Sequence, residues 1–301
     1  MNVLTLENIE KWYGDYKAVD NISLQVPPQT VFGLLGPNGA GKTSLIRIIT
    51  NILEADSGRV LLNGNPSPKN RMMEIGYMPE ERGLYKKMKV GEQLMYLARL
   101  KNLSTKEARQ RIGEWYEKFD IASWDKKKIE ELSKGMQQKI QFIATVLHRP
   151  KLIILDEPFS GLDPVNTNLI REEMENLRRE GSAILFSTHR MEQVEQICEY
   201  IALINKGKKI LEGKVADVRQ QFKENIYSIS LDNTTEDALE SNDIFTIKQQ
   251  RAKDWVLSLA ENKTPNDILR YFIEKNVHIH AFHEILPTIN EIFIAQVTDK
   301  V

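Results

Sequence analysis

The stretch "TVFGLLGPNGAGKT", residues 30–43, decides how this chain is read. Its first half, "TVFGLLG" (30–36), is an apolar run of strand length. Its second half, "GPNGAGKT" (36–43), is rich in glycine and leads into "KTSLIRIITNIL", whose apolar residues recur at helical spacing. A strand, a glycine-rich turn and a helix in that order are the context a phosphate-binding loop requires. Glycines let backbone N–H groups curl round phosphate oxygens, a lysine adds a point charge, and a hydroxyl beside it can ligate Mg²⁺. Lys42 and Thr43 take those two parts here, with Gly36, Pro37, Asn38, Gly39, Ala40, Gly41 and Ser44 as the rest of the nucleotide-binding set. The plainer alternative, an ordinary turn between strand and helix, is weakened by the fit of both flanks.

Working outward, "LIILDEP" (152–158) is a second buried strand, with Asp156 and Glu157 at its C-terminal end. Open α/β sheets place ligands at that edge. Asp156 is the metal ligand, direct or through water, and Glu157 the residue to polarise an attacking water. Without the phosphate loop, both could be solvated strand-end carboxylates. "SAILFSTH" (182–189) is a third buried strand and delivers His189, which the local sequence alone leaves as a structural histidine. A further anion-binding feature is "LSKGMQQKI" (132–140), a polar turn running into a helix. The free N–H groups and the dipole at a helix start both favour negative charge. The chain thus has two phosphate-type sites, which raises the question of what the second one serves.

Strands alternating with helical patterns make residues 1–222 an α/β layer with a largely parallel sheet. Residues ~88–150 are mostly helical and charged, as a helical subdomain inserted in that core. From 223 to 301 the pattern changes to half-exposed strands at "IYSISL", "IFTIKQ" and "WVLSLA", a helix opened by Thr264, Pro265 and Asp267, and a strand over "VHIHAF" (277–282). Thr288 and Glu291 stand at capping-box spacing before the last helix. This reads as a small separate α+β domain.

Composition narrows the function. There are 41 Lys+Arg against 42 Asp+Glu in 301 residues, a net charge of -1, which is not the basic footprint of a nucleic-acid binder. A single cysteine, Cys198, leaves no internal disulfide and fits a reducing compartment. The opening "MNVLTLENIEKWYG" carries no basic start followed by an apolar run, so no signal peptide is expected. No apolar run approaches the ~20 residues that span a bilayer.

Together the motifs over residues 1–220 resemble the ATP-binding subunits of ABC transporters. "GPNGAGKT" is similar to the Walker A loop, "LSKGMQQ" to the family signature, "LIILDEP" to Walker B, and "SGLDP" (160–164) to the D-loop, with Asp163. Tyr13 stands where the family stacks adenine, and His189 where it has its switch histidine, which the resemblance makes catalytic along with Glu157 and Lys42. The resemblance implies a P-loop fold, ATP and Mg²⁺ as ligands, and a homodimer with ATP sandwiched between subunits. In it Ser133, Lys134, Gly135 and Met136 of one chain cap the γ-phosphate held by the partner's Walker A loop. That is its answer to the second anion site.

Two departures from the family pattern stand out. Lys134 and Met136 replace a glycine and a glutamine of the signature, which adds a charge and loses a ribose contact. "GYMPEERGLY" (76–85) aligns with the Q-loop but has Glu80 in place of its glutamine. A carboxylate there can still serve as a metal-side ligand; the bland alternative is a solvated loop residue. "PEERGLY" and "PTINEIFIAQV" look like the ATPases of class-2 bacterial exporters, the sodium-efflux and drug-resistance type. That resemblance implies export through a separate integral membrane permease, docked on the loop Glu80–Leu84 and the helical subdomain. It implies a peripheral location on the cytoplasmic face of the cell membrane and no nucleic-acid partner. The rivals are a soluble ABC ATPase acting on ribosome or DNA, an importer ATPase, and a non-hydrolysing regulator, the last disfavoured by Glu157 and His189. His278, His280 and His283 read as a solvated or packed strand before a metal or pH-sensing site. "DKKKIEE" (125–131) reads as a solvated helical face, and Met72, Met73 and Met88 as packing.

Overall fold

The computed structural model describes residues 1–66, 72–81, 83–231, 240–251 and 253–298. They form two compact units, Met1–Val215 and Ala216–Val301, dividing a few residues before the change of sequence pattern near 222.

In the first unit a long hairpin opens the chain, β1 (Leu4–Tyr13) and β2 (Tyr16–Val26), with Gly14 at φ 58° in its turn. Then follow β3 (Val31–Leu35), α1 (Lys42–Ile49), β4 (Ser57–Leu62) and β5 (Ile75–Met78). The helical part carries α2 (Val90–Leu100), α3 (Thr105–Phe119) and α4 (Lys134–Val146). The chain returns through β6 (Leu152–Asp156), α5 (Pro164–Arg179), β7 (Ala183–Thr188), α6 (Met191–Ile197), β8 (Tyr200–Asn205) and β9 (Lys208–Lys214).

Two sheets result. β2-β1-β4 is antiparallel, and β5-β6-β7-β3-β8-β9 is parallel except for its last pair. Every residue of β3, β6 and β7 is buried, which is why these strands are continuous apolar runs in the sequence. One core joins both sheets to α1, from Leu4 and Ile22 through Leu34 and Ile46 to Leu185. The antiparallel sheet is absent from the sequence reading, because charges and register shifts interrupt the alternation of its strands.

The helical part is held by an aromatic cluster. Trp115 lies 5.5 Å from Phe119 and 6.0 Å from Phe142, centroid to centroid. The Ser104 hydroxyl accepts the Glu107 N–H at 3.2 Å while the Glu107 carboxylate accepts the Ser104 N–H at 3.0 Å, so α3 starts on a closed capping box. "DKKKIEE" corrects the reading of a helical face. It is a turn ending in a single 3₁₀ turn, Ile129–Glu131, with Ile129 buried. Three adjacent lysines disfavour a helix by mutual repulsion, and one buried isoleucine pins the segment instead.

The second unit begins within α7 (Val215–Gln221) and continues with β10 (Ile226–Leu231), β11 (Phe245–Arg251), β12 (Asp254–Leu259), α8 (Pro265–Glu274), β13 (Ile279–Ile285) and α9 (Ile289–Thr298). Its antiparallel sheet runs β11-β12-β10-β13. Tyr227, Ile229 and Leu231 face a core with Phe245, Trp255, Leu257, Ile268 and Phe272. At Thr264 both the N–H and the hydroxyl donate to Asp267 Oδ2 at 2.8 Å. Those bonds hold the Asp267 carboxyl below its ordinary range. Thr288 and Glu291 close a full capping box. The strand read over 277–282 begins at Ile279, so His278 precedes it, although its ring lies 5.2 Å from that of His280. Among the described residues, no three His, Cys, Asp or Glu side chains converge to hold a metal by themselves. No described helix is long and apolar enough to cross a membrane.

Candidate functional site

The loop after β3 is shaped by glycines that nothing else could replace. Gly41 caps α1 at φ 106°, and a Cβ there would meet Ala18 O at 2.3 Å. A Cβ on Gly36, at φ 150°, would meet Ile204 O at 2.1 Å. The loop therefore lies tight on β2 and β8. Lys42, 8 % exposed, folds back over it and donates to Gly36 O at 2.6 Å and Pro37 O at 3.0 Å. Burial lowers its pKa, against the pull of Asp156, Glu157 and Glu80.

A cavity of about 390 Å³ opens over this loop. Its walls include Asn38 to Ser44, Glu80, Asp156 and Glu157, with Tyr13 and Tyr16 from the hairpin tip. The sequence-selected residues from four separate stretches thus meet in one place, and Gly36 and Pro37 support it through their carbonyls. Tyr13 is 47 % exposed and Tyr16 56 %. They are direct cross-strand partners, so both rings rise on one face. Such exposed aromatic surface suits a flat ring. Tyr16 was missed by the sequence reading; the hairpin signal in "YGDY", with Gly14 and Asp15 between two tyrosines, would have found it.

Asp156 is 4 % exposed at the end of β6. Burial raises its pKa, as do Glu157 and Glu80, while the Ser187 hydroxyl and Lys42 oppose. Tyr77 beside it is pushed up to about 12, chiefly by burial. Glu157 sits in the left-handed region at φ 49°, a strained place for a glutamate. It is over-determined there. Its N–H donates to Ser187 O, and its carboxylate accepts the Thr188 hydroxyl at 3.1 Å and the His189 N–H at 2.8 Å. His189 Nδ1 lies 2.6 Å from the same Oε1, so β7 delivers the histidine directly to the glutamate.

The donors fit a nucleoside triphosphate with a hard divalent cation. A glycine cradle and a partly desolvated lysine face the phosphate position. Thr43, Asp156 and Glu80 offer oxygen ligands in the same cavity, too few for a protein cage but suited to Mg²⁺ that keeps phosphate and water ligands.

The turn at 132–135 lies elsewhere. Ser133, Lys134, Gly135 and Met136 line a second cavity of about 440 Å³ with Trp124, Lys139, Gly161, Asp163 and Asn166. Ser133 is the N-cap of α4, its hydroxyl accepting the Met136 N–H at 3.2 Å. Asp163 caps α5 and accepts the Asn166 N–H at 2.9 Å, which holds its carboxyl below the ordinary range. The second cavity shares no lining residue with the first.

Known proteins match this chain along its length. A family model described as ABC transporter matches residues 19–160, and one for the C-terminal domain of DrrA1-3-like ATP-binding proteins matches 213–297. The uncharacterized ABC transporter ATP-binding protein YhaQ of Bacillus subtilis is 44% identical over 98% of this chain and 98% of its own. The Nod factor export ATP-binding protein I of Cupriavidus metallidurans is 36% identical over 70% of this chain and 71% of its own. A solved structure of the ATP binding subunit of an ABC transporter superposes with a TM-score of 0.70 at 29% identity, over 73% of this chain and 93% of that one. The chain belongs to the ABC transporter family, as an ATP-binding subunit that hydrolyses ATP.

Proposed function

We propose that this subunit powers a bacterial exporter. Two copies close head to tail on two ATP molecules, and closure works a separate permease at the cytoplasmic face of the membrane. The observation that carries the reading is the pair of separate anion-suited cavities on one chain. A second cavity with a helix start and Lys134 but no phosphate loop has a use if it closes over a partner's nucleotide. That makes the site composite and the interface two-fold.

Within one half-site, backbone N–H groups of 38–44 and Lys42 hold the phosphates, and Tyr13 with Tyr16 receives the base. Mg²⁺ supplies charge neutralisation when bound, with Thr43, Asp156 and Glu80 on its side. Glu157 accepts the proton of the attacking water, with His189 anchored on its carboxylate. Ser133, Lys134, Gly135 and Met136, with Asp163 beside them, close the site from the other chain.

A third cavity of about 440 Å³ suits a permease helix. It is mainly apolar, and Ile52, Met72, Leu84, Leu97, Leu100 and Ala144 are among its walls. Ile52, Met72 and Leu100 are more than half exposed, which is unusual for large apolar side chains outside an interface. Arg82 of the docking loop lies outside the described residues. Export, rather than import, is supported by the likeness to the Nod factor export relative and the match of 213–297 to a DrrA-like domain.

The test uses tagged Glu157→Gln, solubilised from whole cells in mild detergent with ATP and Mg²⁺. A stoichiometric multi-span membrane protein is the expected companion, and salt washing should release the subunit from membranes. Ribosomes or DNA instead would overturn the transporter-coupled reading, and an extracellular substrate-binding protein in the complex would overturn export.

A further inference from the structure

Gln141 lies in the middle of α4, 4 % exposed, on a stretch otherwise given over to Ile140, Phe142 and Ile143. Its Nε2 donates to Pro79 O at 2.9 Å and to Glu81 O at 3.4 Å. These are the carbonyls on either side of Glu80, which itself faces the nucleotide cavity. Two acceptors at one amide end settle which end is nitrogen, since an oxygen placed there would meet two carbonyl oxygens. The other end, Oε1, is buried with no hydrogen-bond partner. A buried glutamine with half its amide unsatisfied has its use at the half that is satisfied. Among its neighbours on α4, Gln138 makes a comparable bond, Nε2 to Pro158 O at 2.9 Å, beyond Glu157. The helix that begins at the turn 132–135 therefore grips the backbone beside both acidic walls of the cavity.

We propose that Gln141 is a positioning residue for ATP hydrolysis, clamping the backbone on both sides of Glu80 so that its carboxylate is held on the metal side of the nucleotide. This rests on the reading of Glu80 given above. Losing the amide leaves Glu80 in place chemically but frees its backbone. The effect should fall on the metal, not on the nucleotide as such.

The experiment measures ATPase activity against Mg²⁺ concentration in the full chain, for wild type, Glu80→Ala, Gln141→Met and the double variant. Nucleotide binding without Mg²⁺ and melting temperature are followed alongside. Removing a residue that orients a ligand commonly weakens metal affinity by ~10-fold. Gln141→Met should raise the half-saturating Mg²⁺ by about that factor, with metal-free nucleotide binding unchanged. The double variant should be no worse than Glu80→Ala. Gln141→Asn, which keeps an amide but is one methylene short, should resemble Gln141→Met, and serves if the methionine variant folds poorly. Hydrogen exchange at Glu80 and Glu81 should quicken in either variant, while that of α4 holds. An unchanged Mg²⁺ requirement in the Gln141 variants, or an equal shift with and without Glu80, would overturn the proposal and spare Glu80. No shift in Glu80→Ala would remove the role of Glu80 and the proposal with it.

Discussion

Lys42 and Asp156 are both charged groups held where water is scarce, and each is shifted toward its neutral form by burial. For Asp156 the sign is definite. Its folded pKa lies above the ordinary value, so the stability this group contributes is fully present below that value and is lost as pH rises through the folded one. Above the folded pKa the ionised carboxylate is a cost to the nucleotide-free protein. Asp156→Asn should therefore raise the melting temperature of the apo protein, while Mg²⁺-dependent hydrolysis collapses. A lowered melting temperature would contradict that electrostatic account. Glu157→Gln should retain ATP binding and lose ~10²–10⁴-fold in turnover, read by single-turnover hydrolysis.

How much of the site was legible depended on whether its residues were contiguous. Gly36 to Ser44, Asp156–Glu157 and Ser133–Met136 are each read within one short run whose flanks announce strand or helix. Tyr16 needed the register of a hairpin, in which the alternation is blurred by charges. Gln141 was not legible at all. Nothing in "KIQFIATV" says that its glutamine reaches carbonyls some sixty residues away. The direct bond between His189 and Glu157 was hidden for the same reason, since it depends on β6 and β7 being neighbours.

Among the elements, α4 has the widest reach. It begins at the turn 132–135, and along its length Gln138 and Gln141 hold the loops after β6 and β5 while Phe142 packs on Trp115 and Phe119. Phe142 is fully buried, and Phe142→Ala should cost about 3–5 kcal/mol in urea unfolding. The loop before α1 is limited by backbone instead of packing. At φ 106°, Gly41→Ala adds about 1–3 kcal/mol of strain, before its Cβ meets Ala18 O. Titration with a fluorescent nucleotide should show affinity lost by more than ~10-fold, because the loop must leave its seat on β2. Elements were read well where burial on both faces made them uniform, as in β3, β6 and β7. The alternation of β10, β11 and β12 was read as well, but not that of β1, β2 and β4, where charges interrupt it, and the charge run "DKKKIEE" imitates a helix.

For the molecule as a whole, each unit carries a core of its own, and every residue of the two anion cavities lies within Met1–Val215. A chain ending at Val215 should bind nucleotide with the affinity of the full chain, and a fragment starting at Ala216 should fold cooperatively on heating. The central claim is that one chain's signature cavity completes its partner's nucleotide site. Its most direct test is the mass in solution of Glu157→Gln with and without ATP and Mg²⁺. The account predicts a change from 34.7 kDa to twice that mass when nucleotide is present, and its loss when Gly135→Asp is added to the same chain. A protein that stays at 34.7 kDa with nucleotide demonstrably bound, or a dimer indifferent to Gly135→Asp, would contradict it.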